Sequence, residues 1–438
     1  MCIRDRRGRG AKAVSRRSLI EIYLPTALLY ALIMPAGINF AVGSIVLFPF
    51  RLVLIAAIPW LLSRARGGTA RAVAADWMIL ASTAWYFVSM MHNRGFAQGF
   101  ESGGRESLDL AVAYFIGRTC LRTPDDIRRM LRLAFPGLAL VGAVFAAESI
   151  SHRLLIWPLF PTNAAVYQTV QYRIGLMRAW GPFPHPILGG AFLGWFVALY
   201  WSMRERPMLK WIGMAIGLCG LFSLSSGSML QIILALASII YIFVSRMLIG
   251  RVEWRPLVWS MVALLIAFQL FTEAGAAGMV VKYLTLNPAT GYFRLLIWQF
   301  GSQSVMDHPF FGIGYEGYTR LSWMKTQSVD NNWLLIAMRF GLPAAITGMI
   351  PALYAIWSSA RAVHLLPRKD ADVALAMTVT LFGAWLVGWT VYYWITALAG
   401  YMLLVGGGVS LGLNAELLNK AIRDYIRRYE MQGATAGQ

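Results

Sequence analysis

The chain has 438 residues, 58% of them hydrophobic and only 13% charged, with a mean hydropathy of +0.58. A soluble domain carries about 25% charged residues, and a chain this apolar cannot cover itself with polar surface, so the composition predicts an all-α polytopic membrane protein. The net charge of +19 would suggest nucleic acid in a soluble protein, but its placement along the chain argues for orientation in a bilayer instead.

The elements run as follows. Residues 1–18 form a basic tail, whose first nine residues, Met1 to Arg9, show no helical periodicity and are set aside. No cleavable signal pattern stands out, and the first apolar run is itself a plausible span. Apolar runs long enough to cross lipid fall near 19–37, 40–63, 76–91, 106–121, 131–150, 186–203, 208–224, 228–246, 256–274, 332–357, 373–391 and 393–413. They predict about 12 transmembrane helices in a single domain over 19–413, with no internal repeat. Most of the 39 basic residues fall in the tails and in alternate connections (63–75, 118–132, 204–210, 246–255, 358–372), which makes that side cytoplasmic and places both termini there. The opposite side then carries two long loops, about 151–185 and 275–331, expected to carry short helices, and a shorter one at 92–105. The seventeen Trp and eighteen Tyr suit a protein with two lipid–water boundaries. The tail 414–438 begins with Leu417, Leu418, Ile422, Tyr425 and Ile426 at helical spacing among basic residues. It reads either as an amphipathic helix on the membrane surface or as a solvated helical end.

The chemistry-bearing residues gather in the long loops. Arg173 and Arg178 precede the rigid turn Gly181-Pro182-Phe183-Pro184-His185-Pro186. A guanidinium there suits bidentate capture of phosphate oxygens, or it anchors a helix end among headgroups. Arg294 and Trp298 lie at i and i+4 on one helical face, as an anion ligand with an aromatic neighbour or as a snorkelling pair. Asp330-Asn331-Asn332 opens an apolar run and reads as an N-cap or as a general base with a hydrogen-bonding neighbour. Asp307-His308-Pro309 followed by Gly312-Ile313-Gly314 reads first as a tight turn, with His308 a secondary candidate. Arg51 sits within a predicted span, where a charge marks a functional candidate. Glu148, near the outer end of its span, is expected to be exposed. Three cysteines (Cys2, Cys120, Cys219) and five scattered histidines provide neither a disulfide framework nor a metal site, so no metal is expected.

Four segments in order, RAWGPFPHPILGG, LFSLSSGSMLQIILAL, FRLLIWQFGSQSVMDHPFFGIGYEGY and VDNNWLLIAMRFGLP, resemble the O-antigen ligase and O-antigen polymerase (Wzy-type) superfamily over roughly residues 130–350. The resemblance implies a GT-C-like glycosyltransferase of the bacterial inner membrane, active on the periplasmic face. Such an enzyme takes a glycan from an undecaprenyl-diphosphate carrier and passes it to a glycan or lipid A-core acceptor, with no cofactor and no nucleic-acid partner. It implies diphosphate-binding roles for Arg178 and Arg294 and catalytic roles for Asp330 and Asn331. Trp298, His185, His308, Arg173 and Arg51 are possible substrate-lining residues. Two departures stand out. Asp330 occupies the position where ligases of the family usually carry His, which favours a polymerase-like role over lipid A-core ligation. The stretch at 225–227 also lacks the Arg that often follows its Ser. Two other classes compete: a transporter or flippase of a lipid-linked or amphipathic solute, and a catalytically inert scaffold for polysaccharide assembly. A secondary transporter should show repeats, broken spans and midplane ionisable groups, whereas this chain collects its polar residues in loops.

Overall fold

The computed structural model describes residues 18–42, 45–66, 71–160, 170–255, 288–324 and 327–436, with single positions between 259 and 270. Of the described residues, 76% are helical. The expected span at 256–274, and the parts of the two long loops at 161–169 and 275–287, lie outside the described residues.

Helix α1 (Leu19–Leu32) is opened by Ser18, whose side chain accepts the Glu21 N–H at 3.3 Å. The run expected to begin a second span at residue 40 starts instead with a small hairpin, β1 (Phe40–Val42) and β2 (Ile45–Leu47). Helix α2 follows at Pro49–Arg66. Arg51 therefore lies in the first turn of α2, not mid-span.

Helix α3 (Ala74–Arg94) and helix α4 (Phe96–Ser107) meet at Gly95, which takes φ +75°. The segment 92–105, expected as a loop, is thus mostly helical. Small residues allow the pair to close up: a Cβ on Gly103 would stand 2.9 Å from the Phe87 Cα. One π turn, Leu108–Val112, carries α4 into α5 (Ala113–Cys120). Helix α6 (Pro124–Ser151) starts from a capping box in which Thr123 and Asp126 satisfy each other's backbone N–H groups.

Loop 151–185 carries a second hairpin, β3 (Tyr172–Arg173) and β4 (Leu176–Met177), where short helices were expected. Next come α7 (Pro186–Trp201), α8 (Pro207–Leu218) with a 3-10 turn at Cys219–Ser223, and α9 (Ser226–Ile249). The second long loop carries one full helix, α10 (Pro288–Asp307). The apolar run 332–357, expected as one span, is broken at Gly341 (φ +86°) into α11 (Asn332–Phe340) and α12 (Leu342–Leu365). Helix α13 (Arg368–Val387) and helix α14 (Thr396–Ala436) complete the chain. The last span and the tail are therefore one continuous helix. Its apolar residues Leu417, Leu418, Ile422, Tyr425 and Ile426 are left exposed.

Five described helices are long and apolar enough to cross a membrane: α6, α9, α12, α13 and α14 as far as Arg427. Helix α14 is the axis of the bundle, with 94% of its apolar window buried. It packs on α5 and α12, while α7 packs on α8 and α9. Close approach of α14 to α5 depends on glycine, because a Cβ on Gly406 would collide with the Tyr114 carbonyl. Buried ion pairs lock helices together. Arg51 Nη2 meets Asp109 at 2.6 Å between α2 and the π turn, and Arg118 Nε meets Asp76 at 3.1 Å between α5 and α3.

Candidate functional site

A cavity of about 680 Å³ opens where the ends of α7, α9, α10 and α11 converge with the β3–β4 hairpin and the connection between α13 and α14. Arg105, Arg173, Arg178, Arg294 and Arg339 line it, together with only two carboxylates, Glu106 and Asp330. Five guanidiniums against two carboxylates make it a receptor for anions.

The hairpin presents the first two arginines. Its turn, Ile174-Gly175, has φ of +53° and +74°, the two-residue geometry that matches strand twist. Pairing continues one step beyond β4, with the Arg178 N–H donating to the Gln171 carbonyl at 3.0 Å. The 3-10 turn before α9 then holds this strand through three successive carbonyls. Phe222 accepts the Ala179 N–H at 2.9 Å, Ser223 accepts Arg178 Nε at 2.9 Å, and Leu224 accepts Arg173 Nη1 at 2.9 Å. Arg178 Nη1 also donates to Gln171 Oε1, leaving Nη2 buried without a partner on a side chain only 2% exposed. The neutral groups hold the guanidinium in place without cancelling its charge.

Glu148 supports the same turn from behind. It is fully buried, against the expectation of an exposed position, because its carboxylate collects backbone donors. Oε2 accepts the N–H groups of Trp180 and Gly181 at 2.9 and 2.8 Å, and Oε1 accepts that of Leu155 at 2.9 Å. Ser149 Oγ donates to the Met177 carbonyl at 2.7 Å. The Gly-Pro-rich turn is thereby pinned to the end of α6.

On the facing side, Arg294 of α10 lines the cavity with its Nε buried and unpartnered. Asp330 sits between the two arginines electrostatically, yet among the described residues no ion pair within 4 Å joins it to either. Burial raises its carboxyl above the ordinary carboxylate range, and the charges of Arg294 and then Arg178 act against that rise. Burial lowers the Arg294 pKa, opposed by Asp330. Burial and the neighbouring Arg173 charge bring Arg178 down to about 10, so it remains charged at neutral pH. His185 is pushed down to about 4 by burial and then by Arg178 and Arg173, which leaves a neutral imidazole. Its Nδ1 accepts the Ile187 N–H at 3.1 Å as the N-cap of α7, so Nε2 carries the proton.

The Asp-Asn-Asn stretch divides its work. Asn331 is the N-cap of α11, with Oδ1 accepting the Leu334 N–H at 3.0 Å, and Asn332 Oδ1 accepts the Tyr393 N–H at 3.2 Å. Only Asp330 lines the cavity. Asn331 is committed to helix capping and does not line it, contrary to the expectation of a catalytic role.

Three other expected residues lie elsewhere. Arg51 is sequestered by Asp109, which takes up the charge that marked it as a candidate. Exposed His308 belongs to the turn that ends α10, where its carbonyl accepts the Gly312 N–H at 3.1 Å. Trp298 does not line the cavity and meets Trp389 with ring centroids 5.9 Å apart. The turn at 309–314 is a clasp. Ile313 and Gly314 donate to the Met338 and Arg339 carbonyls, while Ser89 and Asn93 of α3 donate to the Phe311 carbonyl. It fixes Tyr315 against Arg339.

Sequence reasoning missed the residues at that end of the cavity. Arg339 lies inside the apolar run 332–357. Arg105 and Glu106 fell at the edge of a predicted span. A charge pair at a span boundary, and one arginine within an apolar run, were the available signals.

No protein-family model matches this chain, and no curated protein matches it either.

Proposed function

We propose that the chain is a polytopic glycosyltransferase of the O-antigen ligase and polymerase type, GT-C-like with about 12 spans. In this reading it lies in the bacterial inner membrane with both termini cytoplasmic. At its periplasmic face it transfers a glycan from undecaprenyl diphosphate to a glycan or lipid A-core acceptor. The observation that carries the reading is the meeting, in one basic cavity, of Arg178 and Arg294, each with a guanidinium nitrogen that has no hydrogen-bond partner among the described residues, and of the carboxylate Asp330, which has no ion pair within 4 Å among them. The two uncancelled guanidinium charges in one cavity suit the two phosphates of a diphosphate.

The chemistry follows from these positions. The acceptor hydroxyl oxygen attacks the anomeric carbon of the donor sugar from the side opposite the diphosphate, with inversion. The bond from that carbon to the phosphate oxygen breaks, and its electron pair leaves with undecaprenyl diphosphate. Arg178, Arg294 and Arg173 stabilise the added negative charge. Asp330 takes the hydroxyl proton, and its raised pKa strengthens it as a base. Asn331 contributes indirectly, by capping α11 and fixing the backbone next to Asp330. Neutral His185 can donate from Nε2 to a phosphate or sugar oxygen. The structure offers less to the transporter reading, since the Arg51 charge is already paired with Asp109 at the start of α2.

The test is transfer by the purified protein from an undecaprenyl-diphosphate-linked oligosaccharide, offered a glycan acceptor and a lipid A-core acceptor in parallel. Glycan elongation that Arg294→Ala lowers by about 100-fold or more is expected, the scale of losing an oriented donor to a developing charge. Absence of transfer to both acceptors from folded protein would overturn the assignment.

A further inference from the structure

The cavity has a second cationic end that the transfer chemistry does not use. Tyr315 stands at its centre. Its hydroxyl accepts from Arg105 Nη2 at 3.0 Å and donates to Glu106 Oε1 at 3.0 Å. Three guanidiniums surround its ring, with Arg339 at 4.8 Å from the centroid, Arg94 at 5.3 Å and Arg105 at 5.8 Å. Arg339 Nη1 donates to the Tyr392 hydroxyl at 3.0 Å and stands 5.3 Å from that ring as well. The one carboxylate in the cluster, Glu106, is taken up by Tyr315 and by Arg105 at 3.7 Å. Among the described residues Arg339 has no carboxylate within 4 Å.

We infer that Arg105, Arg339 and Tyr315 form a second anion subsite, which takes the carboxylate of an acidic sugar in the transferred or accepting glycan. The inference rests on the glycan-transfer reading and adds a substrate class to it. Two features favour a sugar acid over a further phosphate. A planar guanidinium placed over an aromatic ring can offer its N–H edge to a carboxylate, and Tyr315, Tyr392 and Trp394 line the same wall of the cavity. The phosphates already have Arg173, Arg178 and Arg294. A partly buried cluster with two uncancelled positive charges gains most from an anionic ligand.

The experiment measures binding to the full chain in nanodiscs at low salt. The probes are a hexasaccharide alternating glucuronic acid and N-acetylglucosamine, its carboxyl-reduced counterpart, and inorganic pyrophosphate. The acidic hexasaccharide is expected to bind about tenfold or more tightly than the reduced one, the effect of one charge-assisted hydrogen bond. Arg339→Gln, and separately Arg105→Gln, should erase that preference while pyrophosphate still binds. Arg178→Ala should weaken pyrophosphate and keep the preference. Equal binding of the two hexasaccharides overturns the subsite, and so does a preference that survives both glutamine variants. Pyrophosphate binding lost in Arg339→Gln but kept in Arg178→Ala overturns it too, by making the second site a phosphate site. A preference for the acidic form with no pyrophosphate binding in wild type would instead sink the diphosphate reading and leave the subsite standing.

Discussion

At the scale of single residues, the site depends on what each polar atom lacks. Arg178 has Nε and Nη1 satisfied by neutral oxygens and, among the described residues, Nη2 left over, so its charge is held in place and not cancelled by a carboxylate. Asp330 has two arginines near enough to influence it and none near enough to pair, which keeps its lone pairs available. The pH dependence of transfer follows with a definite sign. The base acts only when deprotonated, and burial raises its pKa. Activity should therefore fall as pH drops through a value above the ordinary carboxylate range. Asp330→Asn should remove the limb along with about 100-fold or more of the rate, within the usual reach of general base catalysis, while donor binding persists. A pH–rate profile of wild type and variant checks this. An unchanged acid limb in Asp330→Asn would assign the proton to another group.

At the scale of elements, the cavity is assembled by short irregular pieces that regular helices carry. The β3–β4 hairpin, the 3-10 turn before α9 and the Pro-rich turn before α7 hold one another through backbone hydrogen bonds, and Glu148 anchors them to α6. Periodicity and capping made the helices legible: Ser18, Thr123 and the prolines at the starts of α6, α7 and α8 are readable start signals. The sequence also showed that Arg178, Arg294 and Asp330 belong to loops at one end. It did not show Glu148, because an acid at the end of an apolar run looks the same whether it meets water or three backbone N–H groups. Nor did it show the Tyr315 cluster, whose members come from α3, α4, a loop, α11 and the connection before α14. Spatial convergence over such separations leaves no local pattern. The break at Gly341 was hidden for a different reason: the apolar run continues through it, and only the positive φ exposes the turn. The Glu148 anchor predicts an effect at a distance. Glu148→Ala should strand the two buried N–H groups of Trp180 and Gly181, at roughly 1–3 kcal/mol for each left unsatisfied, and free the part-buried N–H of Leu155. It should lower the melting temperature and weaken pyrophosphate binding, although Glu148 does not line the cavity. Glu148→Gln keeps an acceptor and should recover part of both. Normal pyrophosphate affinity in a folded Glu148→Ala protein would show that the turn holds Arg178 without the anchor.

At the scale of the whole molecule, the charge distribution and the cavity point to opposite faces. The exposed basic tail and the connections rich in arginine mark one end of the bundle, and the cavity with its hairpin lies at the other. Under the proposed inside-positive orientation the cavity would face outside, where lipid-linked glycans would be displayed and nucleotide sugars would not. The orientation is open to direct measurement. Single cysteines at Ile174, which is 77% exposed on the hairpin turn, and at Leu417, which is 55% exposed beyond the last apolar turns of α14, sample the two ends. Cys2, Cys120 and Cys219 are first replaced by serine. A membrane-impermeant maleimide added to intact spheroplasts should label Ile174→Cys and spare Leu417→Cys until the membrane is permeabilised. The reverse pattern would place five cavity arginines in the cytoplasm. A periplasmic transferase would then be untenable, because donor and acceptor would lie across the bilayer from the site.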